Sequence, residues 1–105
     1  MKKHPNEFTR RRILKYFSDR QMEVEVTAVG CGYVIFFQTF SAIEACTVED
    51  PAGKLVYDEN RTECWKLYWM SGRFRWHLYH RYEKVTQALD VMFSDKAANL
   101  FHKVL

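Results

Sequence analysis

Glycine and proline are scarce in this chain, at four and two residues among 105. So few breakers leave no flexible linker and no low-complexity tract, and no internal repeat is present. Cysteine is also sparse. Cys31, Cys46 and Cys64 are odd in number and widely spaced, which excludes the disulfide framework of a small secreted protein and points to a reducing cytoplasm. No apolar run exceeds Tyr33–Phe37, far short of the ~20 residues a bilayer-spanning helix needs. Behind Met1-Lys2-Lys3-His4-Pro5 there is no apolar stretch of the kind a secretory signal carries.

Chemical motifs are missing as well. There is no Cys-x-x-Cys or His-x-x-x-His pair, no glycine-rich phosphate loop and no nucleophile elbow. His77 and His80 lie three apart, which on a strand sends them to opposite faces. A metal site, a cofactor and an enzymatic activity are therefore not expected.

What the chain does have is aromatic and apolar mass, 16% and 48% of its residues. That share argues against disorder, because buried rings offset ordering entropy. A single domain over residues 1–105 is expected, able to bury roughly two-thirds of its unfolded surface without staples. The formal net charge of +3 hides a segregation. Residues 1–20 hold seven Lys/Arg against two acids, 21–63 two against eight, and 64–86 five against one. The surface is expected to be dipolar.

Residues 6–20 read as an amphipathic helix with Asn6 as N-cap and Glu7 at the positive dipole end. Ile13, Leu14, Tyr16 and Phe17 gather on one side, with Arg11, Arg12 and Lys15 on the other and Phe8 among them. Met22–Ala28 alternates as a strand, Gly30-Cys31-Gly32 turns, and Tyr33–Phe40 forms a second strand apolar on both faces. A two- or four-residue loop sets Val24 opposite Phe37 and Val26 opposite Ile35. A three-residue loop would pair Glu25 with Phe37, and the first register is preferred. Asp50-Pro51-Ala52-Gly53 signals a turn, with a short strand at Lys54–Tyr57 and a loop at Asp58–Arg61. From about Glu83 helical spacing returns, through Val85, Ala88, Leu89, Met92 and Phe93, then Ala97, Leu100, Phe101 and Val104. Ser94-Asp95 either caps a second helix or bends one long one.

The stretch Cys64–Tyr82 is the most informative. With Ser71-Gly72 as a two-residue turn, Trp69 faces Phe74, Leu67 faces Trp76 and Trp65 faces Leu78. One face then holds Trp65, Leu67, Trp69, Phe74, Trp76 and Leu78 as core. The other holds Lys66, Tyr68, Met70, Arg73, Arg75, His77, Tyr79 and Arg81, without a single acid. The expected fold is α+β: a mostly antiparallel sheet of four to five strands with an N-terminal helix and one or two C-terminal helices.

The pair Trp65-x-Leu67-Tyr68-Trp69 and Trp76-His77-x-Tyr79 resembles the signature of a family of small bacterial proteins catalogued as a domain of unknown function. The order of elements is similar too. The resemblance implies an α+β fold and a bacterial origin, and it assigns no site.

Three functional readings compete. Lys66, Tyr68, Arg73, Arg75, His77, Tyr79 and Arg81 have the chemistry to bind nucleic acid or another polyanion, cations meeting phosphates and rings stacking on bases. An ordinary solvated sheet face has the same composition and is the commoner case. A protein-interaction or homodimerisation surface would use Phe36, Phe40 and the C-terminal helix. Catalysis has one candidate, Cys64, placed diagonally across the hairpin from His77 and beside Lys66. Cysteines at strand ends are far more often idle. A non-enzymatic binding module is the expectation, with nucleic acid ahead of protein.

Overall fold

The computed structural model describes residues 4–94 and Phe101, and of residues 39–41 the backbone alone. Helix α1 (Glu7–Ser18) starts at Asn6, whose extended backbone lets its side-chain oxygen accept the Thr9 N–H at 2.8 Å. Ile13 and Phe17 are fully buried, while Arg11 and Lys15 point to solvent. The expected helix and its cap are present, ending two residues earlier than the spacing suggested. Lys15 and Asp19 close the last turn with an ion pair, and Gln21 at φ 59° turns the chain toward the sheet.

Five strands follow: β1 (Val24–Val29), β2 (Gly32–Ser41), β3 (Cys46–Tyr57), β4 (Trp65–Met70) and β5 (Trp76–Tyr82). They form an antiparallel meander in chain order, and α2 (Val85–Ser94) closes the described chain. The β1–β2 register is the expected one, Val24 opposite Phe37 and Val26 opposite Ile35. This register keeps Val24 and Val26 on the same side as Ile35 and Phe37, where a one-residue slip would bring Glu25 and Thr27.

The turn expected at Asp50–Gly53 is instead a bulge within the twelve-residue β3. Ile35 faces Gly53 and Phe36 faces Pro51, so Ala52 is the extra residue and is buried. Proline is tolerated there because β4 joins β3 only from Lys54 onward. Pro51 thus lies on an edge, where its missing N–H breaks no ladder. The segment expected as a separate strand, Lys54–Tyr57, is the end of β3.

The hairpin turn also differs. Met70 pairs with Trp76, so five residues, Ser71 to Arg75, form the loop. Phe74 N–H donates to Ser71 O at 2.9 Å, Arg73 N–H reaches Ser71 Oγ at 3.3 Å, and Ser71 N–H donates to Arg75 O at 2.9 Å. The residue at positive φ is Phe74 (60°), not Gly72. Ser71's hydroxyl favours a turn one residue later than the expected one, with Gly72 and Arg73 at its centre. Phe74 is 82% exposed and holds a left-handed backbone with nothing packed in return. Phe74→Gly is expected to stabilise the protein by about 1 kcal/mol, raising Tm by roughly 4–8 °C in a thermal melt. No rise would mean that the ring is held by contacts that offset the backbone cost.

Both helices pack on one face of the sheet. Ile13 and Phe17 of α1 and Ala88, Leu89 and Met92 of α2 share one cluster with Val26, Ile35, Leu55 and Leu67. The Tyr16 hydroxyl donates to Asp90, tying α1 to α2, and Arg20 stacks on the Tyr16 ring 3.6 Å from its centroid. Burial and the Asp90 carboxylate push the Tyr16 hydroxyl up to about 12. Gly53 lies beneath α2, where a Cβ would stand 2.6 Å from Met92 Cε. The second C-terminal helical set, Ala97 to Val104, falls outside the described residues except Phe101, which is buried against Tyr79. Among the described residues no helix is long and apolar enough to cross a membrane.

Candidate functional site on the helix-free sheet face

Because successive side chains alternate, the face opposite the helices is defined by the register. It carries Val34 and Phe36 from β2, Lys54 and Val56 from β3, Lys66, Tyr68 and Met70 from β4, and Trp76, Leu78 and Arg81 from β5. None of the described helices covers it. Neither Tyr68 nor Trp76 belongs to the buried core cluster.

The two rings and one cation form a compact group. Lys54 sits opposite Tyr68 across the β3–β4 ladder, and Tyr68 sits opposite Leu78 across β4–β5. Lys54 Nζ lies 5.7 Å from the Tyr68 ring centroid and 6.0 Å from that of Trp76. At these separations the ammonium is attracted to both ring faces while staying reachable from solvent. A second cationic group gathers one residue pair further along. Asp58, just past the end of β3, has Arg61 at 3.7 Å, Arg81 at 3.9 Å and Lys66 at 4.0 Å from one carboxylate oxygen. Three cations share one anion, so the cluster keeps a surplus of two positive charges. Asp58 does not satisfy them all: Arg81 Nη1 is buried with no hydrogen-bond partner among the described residues.

Of the residues expected at the site, Lys66, Tyr68 and Arg81 are brought together on this face. Arg73 and Arg75 are exposed in the loop at its end. His77 and Tyr79 are on the other side. His77 stacks on Trp69 at 4.9 Å, and the Tyr79 ring meets Phe101 at 5.5 Å. The cause is the register. Met70 pairs three residues later than a two-residue turn would allow, and an odd displacement turns β5 over. Trp76 and Leu78, expected in the core, therefore face outward, and Leu78 is 47% exposed. A second bulge, with Tyr79 unpaired between Leu78 and His80, restores the parity and returns Arg81 to the outer face.

Sequence reasoning missed Lys54 and Trp76 as site residues. Lys54 was detectable: once Lys54–Tyr57 pairs with β4, it must lie beside Tyr68 or one pair away. For Trp76, no sequence signal distinguished the two turns.

The pairing of Cys64 with His77 does not occur, since Cys64 precedes β4's first pair and His77 lies near its last. The Cys64 thiol donates instead to Glu83 O at 3.6 Å. Phe36 is half-buried on the outer face, while the Phe40 side chain lies outside the described residues. Among the described residues no three His, Cys, Asp or Glu side chains group as metal ligands would.

A five-stranded antiparallel meander backed on one face by two helices, with cations and rings on the other, is an α+β domain with one sheet surface that the described helices leave uncovered. The chain belongs to the family described as Domain of unknown function (DUF3024), whose model matches residues 1–102. No curated protein and no solved structure matches it.

Proposed function

We propose that this protein is a non-enzymatic module that binds single-stranded nucleic acid across the helix-free sheet face. One observation carries the reading: Lys54 held between the Tyr68 and Trp76 rings on a sheet surface that neither described helix covers. Flat side chains on an open sheet offer stacking platforms for unpaired bases, and the cations beside them meet the backbone phosphates. Charge complementarity selects this occupant over an apolar protein surface. Along β3–β5 the face presents Lys54, Lys66 and Arg81, with Arg73 and Arg75 at its end and Asp58 as the acid among them. The acids Glu23, Glu25, Glu49 and Asp50 belong to β1 and its approach and to the far half of β3, while Glu59 and Glu63 are exposed in the loop that follows Asp58. The duplex form fits less well, since its bases are already stacked.

The test is fluorescence anisotropy with a labelled fifteen-nucleotide poly-dT strand and its duplex counterpart, from low to physiological salt. Binding of the single strand ahead of the duplex is expected. Its log K should fall with log salt at a slope near −0.7 per phosphate neutralised, giving roughly −2 to −3.5 for three to five cations. No single-strand binding at the lowest salt, where electrostatics are strongest, overturns the proposal.

A further inference from the structure

A cleft of about 600 Å³ opens on the opposite side of the sheet, where the first turns of α1 and α2 approach the ends of β3 and β4. That volume falls within the range typical of small-molecule sites. Its walls combine two kinds of chemistry. Tyr57 and Trp65 meet at 5.2 Å between ring centroids, with the His4 ring packed on both at 4.5 and 4.8 Å. Phe8 stands on the α1 side, 78% exposed, an aromatic ring left in water beside an aromatic floor. Around these rings are two cations, Arg12 of α1 and Lys84 just before α2. Neither forms an ion pair among the described residues, whereas Arg10 and Arg11 on the same helix are both paired with Glu7. Among the described lining residues Glu83 is the single carboxylate against two cations, a surplus of positive charge.

We infer that this cleft binds a small organic anion with a flat apolar body, such as an aromatic carboxylate. The body lies against Tyr57 and His4 beneath Phe8, with the buried Trp65 ring behind them, and the carboxylate lies between Arg12 and Lys84. The site is separate from the nucleic-acid face and shares no residue with it. An apolar body without charge would leave both cations unused, and a bare inorganic anion would leave Phe8 and the open edge of Tyr57 in water. The combination is what selects the ligand class.

Cys64 lines the same cleft and reports on its occupancy. Alkylation by iodoacetamide, in which the thiolate attacks the methylene carbon and iodide leaves, is followed by peptide mass mapping at Cys64 and at the exposed Cys31. The probe is 2-naphthoate, with neutral 2-naphthamide as its isosteric control. The expected result is that 2-naphthoate protects Cys64 and not Cys31, and that the amide protects roughly fivefold more weakly. Arg12→Gln combined with Lys84→Gln should reduce naphthoate protection to the amide's level, both side chains being at the surface and outside the core. Equal protection by acid and amide overturns the inference, as does equal slowing at Cys31 or full protection in the double variant. None of these outcomes depends on oligonucleotide binding.

Discussion

Gly32→Ala is expected to destabilise the protein by about 4 kcal/mol, in the diagnostic tail for single substitutions. A Cβ at this position would stand 1.8 Å from the carbonyl oxygen of Leu55 and 2.9 Å from Val56 Cα. Both are backbone atoms of the neighbouring strand, so no rotamer change relieves the clash. The close approach exists because β2 begins directly beneath the end of β3, with Tyr57 N–H donating to Cys31 O at 3.1 Å. Moving β3 away would break the β2–β3 ladder that all later strands depend on. The corresponding drop in Tm is on the order of 20 °C. Gly72→Ala provides the control, since a Cβ there meets nothing within 4 Å and its φ is not in the left-handed range. It should change stability by no more than about 0.5 kcal/mol. Similar melts for the two variants would contradict the β2–β3 register.

The second large effect concerns binding. Tyr68→Ala with Trp76→Ala is expected to weaken single-stranded oligonucleotide binding by roughly 30-fold or more. Each stacked base–ring contact contributes about 1–3 kcal/mol, so even the low end for two rings gives that factor. Stability should suffer little by comparison. The two rings are outside the helix-backed core, and cross-strand pairs on a sheet face contribute roughly 0.2–1 kcal/mol each. Anisotropy and thermal melts on the same preparations separate the two effects. Wild-type affinity in the double variant would mean that the rings do not stack on bases.

The sequence was legible wherever one strand's own alternation settled the matter. On β4, Trp65 and Leu67 are buried and Lys66 and Tyr68 lie on the other face, as the period of two required. The β1–β2 pair was legible for the same reason. Where two strands had to be aligned through a turn, local chemistry misled. Ser71-Gly72 has the composition of a two-residue turn, yet Ser71's hydrogen bonds and the left-handed Phe74 produce a longer loop. That one difference exchanged Trp76 and Leu78 for His77 and Tyr79 on the candidate face. Asp50-Pro51-Ala52-Gly53 was misleading in a related way, because turn residues also build bulges when an edge is free. The Asp58 cluster was illegible for a different reason. It joins residues 58, 61, 66 and 81 across a loop and two strands, and only the completed sheet brings them together.

On the proposed reading, nucleic acid lies on the helix-free face. Titrating a ten-nucleotide poly-dT strand into isotope-labelled protein, and following backbone amide and Trp indole resonances, tests it most directly. Perturbations are expected at Lys54, Lys66, Tyr68, the Trp76 indole and Arg81, with the Trp65 indole and the α1 amides of Arg11, Arg12 and Lys15 unmoved. Perturbations concentrated on the basic face of α1, with Tyr68 and Trp76 silent, would contradict it.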